Sequence, residues 1–222
     1  MNRSELRSLT ANFCEDPGQT KFTPTKYNDG LETAQKQFAV DSKALYKTYS
    51  YTLAVDTAPY DLPTDYVQDK LVMLNGVALE PISRATLAEL YKGRRWDTLT
   101  GTPRNYISDP MEAQKKLILF PIPDSVVDGT DLSLTYVALP AAMSSDSASP
   151  FNSSALMAQF HIAVASYAAW LLLGYLTPTD AIISKRRDLI STYTGKVNEA
   201  IQGFGDTPSE PMSIHPRDIR IR

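Results

Sequence analysis

The chain has 222 residues, 43% hydrophobic and 21% charged, enough for one packed domain or two small ones and too apolar to read as disordered. A formal net charge of −3 and a pI near 5.4 give the whole chain no electrostatic drive toward nucleic acid or anionic membrane. One cysteine, Cys14, excludes an internal disulfide or a Cys-rich metal site, and the opening Met1–Arg7 lacks the apolar run of a signal peptide, so synthesis in the cytoplasm is expected.

From the N-terminus, Asn2 with Glu5 three residues later reads as a capping box, and Leu6, Leu9 and Phe13 follow at helical spacing. That helix should end by Asp16-Pro17-Gly18. Thr23-Pro24 then caps a second, with Tyr27, Leu31, Ala34, Phe38 and Leu45 on one face. Near residue 46 the period changes. Lys47 to Val55 alternates with period two and reads as a strand. Lys70–Leu74 and Val77–Ile82 flank Asn75-Gly76, a type I′ hairpin signal because both residues tolerate positive φ. Ser83 caps a short helix through Leu87, Leu90 and Tyr91, and further strands are expected at Lys116–Phe120 and Leu132–Val137.

Ser144 to Ser154 reads as an exposed loop of Ser, Asp, Ala and Pro. The run Ala155–Leu176 then lacks any Asp, Glu, Lys or Arg and is long enough for a membrane span. Gln159, His161 and Ser166 interrupt it and no flanking Lys or Arg anchors it, so a buried core helix from about Ser154 is the expectation. Thr177-Pro178-Thr179 breaks it and caps a last helix, with Ile183, Ile190, Tyr193, Val197, Ile201 and Phe204 on its apolar face; the two form an antiparallel helical hairpin. From Asp206 onward Pro208, Pro211 and Pro216 forbid a continuous helix, leaving a basic, extended tail.

No constellation for catalysis emerges. The two histidines, His161 and His215, lie in unlike segments, and none of the 10 glycines cluster into a phosphate cradle, so no catalytic residue, metal or cofactor is expected. Asp61, Asp65 and Asp69 recur every four residues, but Pro63 breaks any helical face, and Asp109, Asp128 and Asp131 read as turn formers. Three basic clusters remain: Lys92-Gly93-Arg94-Arg95, Lys115-Lys116 and Lys185-Arg186-Arg187. Lys and Arg usually face water, yet Arg94, Arg95 and Trp96 form the candidate interface loop, because Trp and Arg are enriched at interfaces. In the tail, Ile214, His215, Arg217, Ile219, Arg220, Ile221 and Arg222 form a candidate binding arm. Its last four residues alternate apolar and cationic with strand period, suited to a neighbour's sheet edge or an apolar groove.

Several motifs occur in an order that resembles the head-to-tail adaptor, or connector, family of tailed bacteriophages. They are Tyr60-Asp61-Leu62-Pro63, the Asn75-Gly76 hairpin, Gly101-Thr102-Pro103-Arg104-Asn105-Tyr106, Leu117 to Asp124, Leu132 to Tyr136, and the apolar helix His161–Leu173 before a charged helix. The resemblance spans about residues 1–205. It implies an α+β fold: a helical bundle (N-terminal helices plus a long C-terminal helical hairpin) with a small inserted antiparallel β-domain and an extended C-terminal arm. In those terms residues 1–205 make the adaptor domain (1–45 helical, 46–140 mainly β, 154–205 the hairpin) and 206–222 the arm. The resemblance further implies a non-enzymatic virion subunit of the neck. It would form a ring homo-oligomer, usually a dodecamer, between the portal protein and the tail or neck proteins, with DNA passing through unread and no membrane involved. The alternatives are a tail-completion or stopper protein of the same neck, a small carboxylate hydrolase, or a membrane-associated protein.

Overall fold

A computed structural model describes residues 1–92, 95–109 and 115–204. In chain order it contains α1 (Arg3–Phe13), α2 (Pro24–Ser42), β1 (Tyr46–Thr52), β2 (Pro59–Asp61), β3 (Tyr66–Leu74), β4 (Val77–Ala78), β5 (Glu80–Pro81) and α3 (Arg84–Leu90). There follow β6 (Thr100–Gly101), β7 (Asn105–Asp109), β8 (Lys116–Phe120), β9 (Ile122–Pro123), β10 (Asp131–Ala138), α4 (His161–Leu173) and α5 (Asp180–Phe204). The fold is mixed α+β, with five α-helices and largely antiparallel sheets among the described residues. It divides into two compact units, Met1–Ala44 with the chain from Pro140 onward, and Leu45–Leu139.

The first unit is helical. Asn2 Oδ1 accepts from the Glu5 amide (2.9 Å) and Glu5 Oε2 accepts from the Asn2 amide (3.1 Å), so the capping box forms as the sequence predicts. Buried Asp16 organises the link to α2 by accepting from the amides of Thr20 (2.7 Å), Lys21 (2.9 Å) and Phe22 (3.2 Å) and from Tyr27 Oη (2.9 Å). Burial opposes the charge on Asp16, but those donors outweigh it and hold the carboxyl well below the usual range. Tyr27, Leu31, Ala34 and Phe38 of α2 are fully buried, as their spacing predicts, whereas Leu45 lies beyond the helix, which ends at Ser42. Alanines at 163, 165, 168 and 169 let α4 pack closely against α1, α2 and α5.

Three expectations are corrected here. The segment before α4 is not simply exposed: Met143 is 2% and Phe151 0% exposed. Polar side chains of α2 draw it in, with Glu32 Oε1 accepting from Met143 N (2.5 Å) and Gln35 bonded to both Ala141 O (3.1 Å) and Phe151 N (3.4 Å). The α-helix expected from Ser154 to Leu176 covers only His161–Leu173, preceded by a 3₁₀ segment at Ala155–Phe160. Finally, α5 buries Leu189, Tyr193, Val197 and Ala200, while Ile183 and Ile201 stay 48% and 43% exposed. At about 100° per residue both lie roughly 85° from the centre of that stripe.

The second unit holds the strands. One sheet runs β1-β10-β3-β4, entirely antiparallel; another runs β2-β8-β7-β5; β6 and β9 make a small parallel pair. Asn75 (φ 49°) and Gly76 (φ 78°) form the positive-φ hairpin turn between β3 and β4. Its second arm is shorter than the predicted 77–82: β4 stops at Ala78, and β5 pairs in parallel with β7 of the other sheet. Every second residue of the long strands points into the core of this unit, which Val72, Leu74, Leu132, Leu134, Leu117 and Leu119 close. A smaller cluster seats α3, capped by Ser83, through Leu87 on Ile107 and Phe120.

Candidate assembly interface

Of the residues expected to bind partners, Arg94 and the tail set Ile214, His215, Arg217, Ile219, Arg220, Ile221 and Arg222 lie outside the described residues. Arg95 and Trp96 are described. Trp96 is half-buried, its ring set edge-on to Phe120 with centroids 6.2 Å apart, and so anchors the turn that carries it. Arg95 is exposed and forks onto Asp97, with Nε to Oδ1 3.2 Å and Nη2 to Oδ2 3.0 Å. Next to the anchored Trp96 ring, then, Arg95 carries a paired guanidinium.

The other basic clusters are also tied locally. Lys116 pairs with Asp61 and Lys185 with Glu15, each at 2.5 Å, and the Arg186 guanidinium lies 4.9 Å from the Trp170 ring centre. Residues 45–139 contain nine Lys and Arg against twelve Asp and Glu, the same excess of three acids that the whole chain shows.

The regularly spaced aspartates take up structural work that the sequence did not reveal. Asp69 accepts from Tyr106 Oη (2.6 Å), Tyr66 Oη (2.7 Å) and Ser108 Oγ (2.7 Å). Asp65 accepts from Lys47 Nζ (2.5 Å) and Tyr136 Oη (2.9 Å). Burial raises both carboxyls, but these donors outweigh it and both titrate below the usual range. Ionised, fully bonded carboxylates are poor general acids, and this network ties β3, β7 and β10 together. Among the described residues no group of three His, Cys, Asp or Glu is arranged to hold a metal ion.

What the unit does offer a partner is backbone and aromatic surface. β1 lies at a sheet edge with Thr48, Tyr49, Ser50 and Thr52 all exposed, and Tyr49 stacks edge-on against Tyr51 at 4.8 Å. An edge strand exposed on both faces is unusual unless something covers it. Its alternation was legible in the sequence; its place at the edge was not.

The model of a family described as SU10 adaptor protein matches residues 1–210. No curated protein gives a significant match. With that match covering both units, this chain belongs to the SU10 adaptor protein family, a family of bacteriophage head-to-tail adaptors.

Proposed function

We propose that the chain is a structural virion subunit of the phage neck that assembles into the adaptor ring joining portal to tail, with DNA passing through its channel. The observation that carries this reading is the family match over nearly the whole chain. Three structural features support it. The Asp65 and Asp69 carboxylates of the β-unit are engaged in hydrogen bonds that tie its strands together, as suits a scaffold. Its acidic balance suits a channel wall that does not retain DNA. Its exposed edge strand and the aromatic turn at Arg95-Trp96 offer unlike surfaces, as a heterologous, ring-closing interface requires.

In this reading the α1–α2 and α4–α5 helices form the bundle, the last two as a hairpin. The tail from residue 206 is the arm through which portal or a neighbouring subunit is engaged. The chain is made in the host cytoplasm and acts without catalysis or cofactor. The test is the mass in solution of the purified protein, alone and mixed with its cognate portal ring. A high-order complex of defined stoichiometry is expected, twelve copies being the expected number. A chain that stays monomeric and ignores portal would overturn the adaptor-ring reading. Deleting residues 206–222 should weaken portal assembly, and full affinity without them would remove the arm from the interface.

A further inference from the structure

The sheet edges of the β-unit are unequal. β4, β2 and β5, which end the other edges of the two larger sheets, are two, three and two residues long. Proteins blunt sheet edges in this way, with short strands, prolines, bulges or inward charges. β1 is not short, bulged or interrupted by proline. It runs seven residues, its pairing with β10 is unbroken from Tyr46↔Val137 to Thr52↔Asp131, and it contains no proline. Its one charged residue, Lys47, is engaged by Asp65.

The register fixes which backbone groups are open. Leu45 accepts from Ala138 N and Leu53 exchanges bonds with Thr130 and Gly129, so odd-numbered residues face β10. Alternation then turns the N–H and C=O of Thr48, Ser50 and Thr52 outward. These residues are exposed on their side chains as well. Among the described residues, β1 is a strand with no neighbour on its outer side.

We infer that this neighbour is the C-terminal segment Arg217–Arg222 of a second copy of the chain, added to β1 as a further strand. The inference rests on the adaptor reading only in supposing that copies meet. The segment follows Pro216, contains no proline itself and alternates Ile219 and Ile221 with Arg220 and Arg222, the pattern of a strand with one apolar face. Its six residues fit the seven of β1. Eighteen residues follow Phe204 and can extend about 60 Å, ample to reach a neighbouring subunit. Charge agrees: three arginines and one aspartate in the segment meet a unit with three excess acids. On β1, exposed Tyr49 offers an aromatic ring on which a guanidinium group can stack.

The test uses the full-length chain with Ile219→Asp and Ile221→Asp, which disables its own segment, and a synthetic peptide of residues 206–222. Amide exchange at Thr48, Ser50 and Thr52 should slow at least tenfold at millimolar peptide, and a peptide carrying the same two substitutions should leave it unchanged. Ser50→Pro on β1 removes one outward N–H without touching the β10 ladder, so peptide protection should fall at least tenfold while the rest of the amide spectrum is kept. In the wild type, protection of the three amides should fall on dilution. Unchanged exchange at millimolar peptide, or protection confined to other strands, would overturn the inference. So would protection independent of wild-type concentration, which places the segment on its own chain. Concentration-dependent protection in the doubly substituted chain alone would mean β1 pairs with a second β1, and would overturn it too. Portal binding scored in parallel separates the two claims: portal binding without β1 protection leaves the adaptor reading standing, and protection without portal binding leaves this one.

Discussion

His161 begins α4 with only 4% of its surface exposed, and its Nδ1 lies 2.8 Å from the Met1 ammonium. An ammonium can only donate, so Nδ1 accepts and the ring proton sits on Nε2, which is buried without a partner among the described residues. Burial, and then the adjacent ammonium charge, push its pKa from 6.5 down to about 4. A histidine held neutral in the fold takes up its proton more readily when unfolded, so stability is complete above about pH 6.5 and falls as pH drops toward 4. The loss is at most about 3 kcal/mol for this one group. Urea unfolding across pH 7 to 4 should show that slope, and His161→Phe should flatten it; an unchanged slope would assign the proton uptake elsewhere. Asp69 makes a second residue-scale case. Removing its carboxylate leaves three hydroxyls of Tyr66, Tyr106 and Ser108 without their acceptor. Asp69→Ala should cost about 2–4 kcal/mol, and Asp69→Asn less, in the same unfolding measurement. Because Asp16, Asp65 and Asp69 all titrate below the ordinary carboxylate range, their stabilisation should persist to about pH 4 and disappear only below it.

At the scale of elements, the segment between β10 and α4 separates two descriptions of the chain. Read from composition it is a polar loop, and truncating Phe151 should then cost almost nothing. In the structure Phe151 is fully buried, 5.2 Å from the Phe38 ring and 6.1 Å from His161, inside the helical core. Phe151→Ala should therefore cost about 3–5 kcal/mol, read from the shift of the denaturation midpoint at constant slope. The sequence carried local instructions well. The Asn2–Glu5 box, the Thr23-Pro24 start, the Asn75-Gly76 turn and the Lys116–Phe120 strand are each written within a few residues, and each forms. What stayed illegible needed distant partners. Phe151 sits among serines and alanines, and its burial comes from distant partners, Gln35 and Phe38 of α2 among them. β5 and β9 are two-residue strands with no period to detect, paired in parallel to strands far along the chain. Nothing in the sequence marks Tyr66, Tyr106 and Tyr136 as partners until the sheets bring their hydroxyls onto Asp65 and Asp69. Nor could the period-two pattern at 46–52 reveal that its outer side has no strand beside it among the described residues.

For the whole molecule, the adaptor reading requires a protein that meets DNA without holding it. Net charge alone does not guarantee this, because a local cluster of free cations binds phosphate whatever the total. Here one cation of each cluster is paired in place: Lys116 with Asp61, Lys185 with Glu15, Arg95 with Asp97. The wild-type chain should accordingly give no retardation of a short duplex at about 0.15 M salt. Replacing the three carboxylates together, Glu15→Gln, Asp61→Asn and Asp97→Asn, frees three cations at little structural cost, since all three acids are exposed. That variant should bind the duplex at low salt, with log K falling against log salt at a slope no steeper than about −3, one phosphate for each cation released. A wild type that already binds with such a slope would mean that cations outside these pairs face DNA, and the unretentive channel wall would have to be abandoned. A variant that binds no better would mean that the freed cations lie where DNA does not reach, and the local pairs would then be structural rather than a shield against DNA.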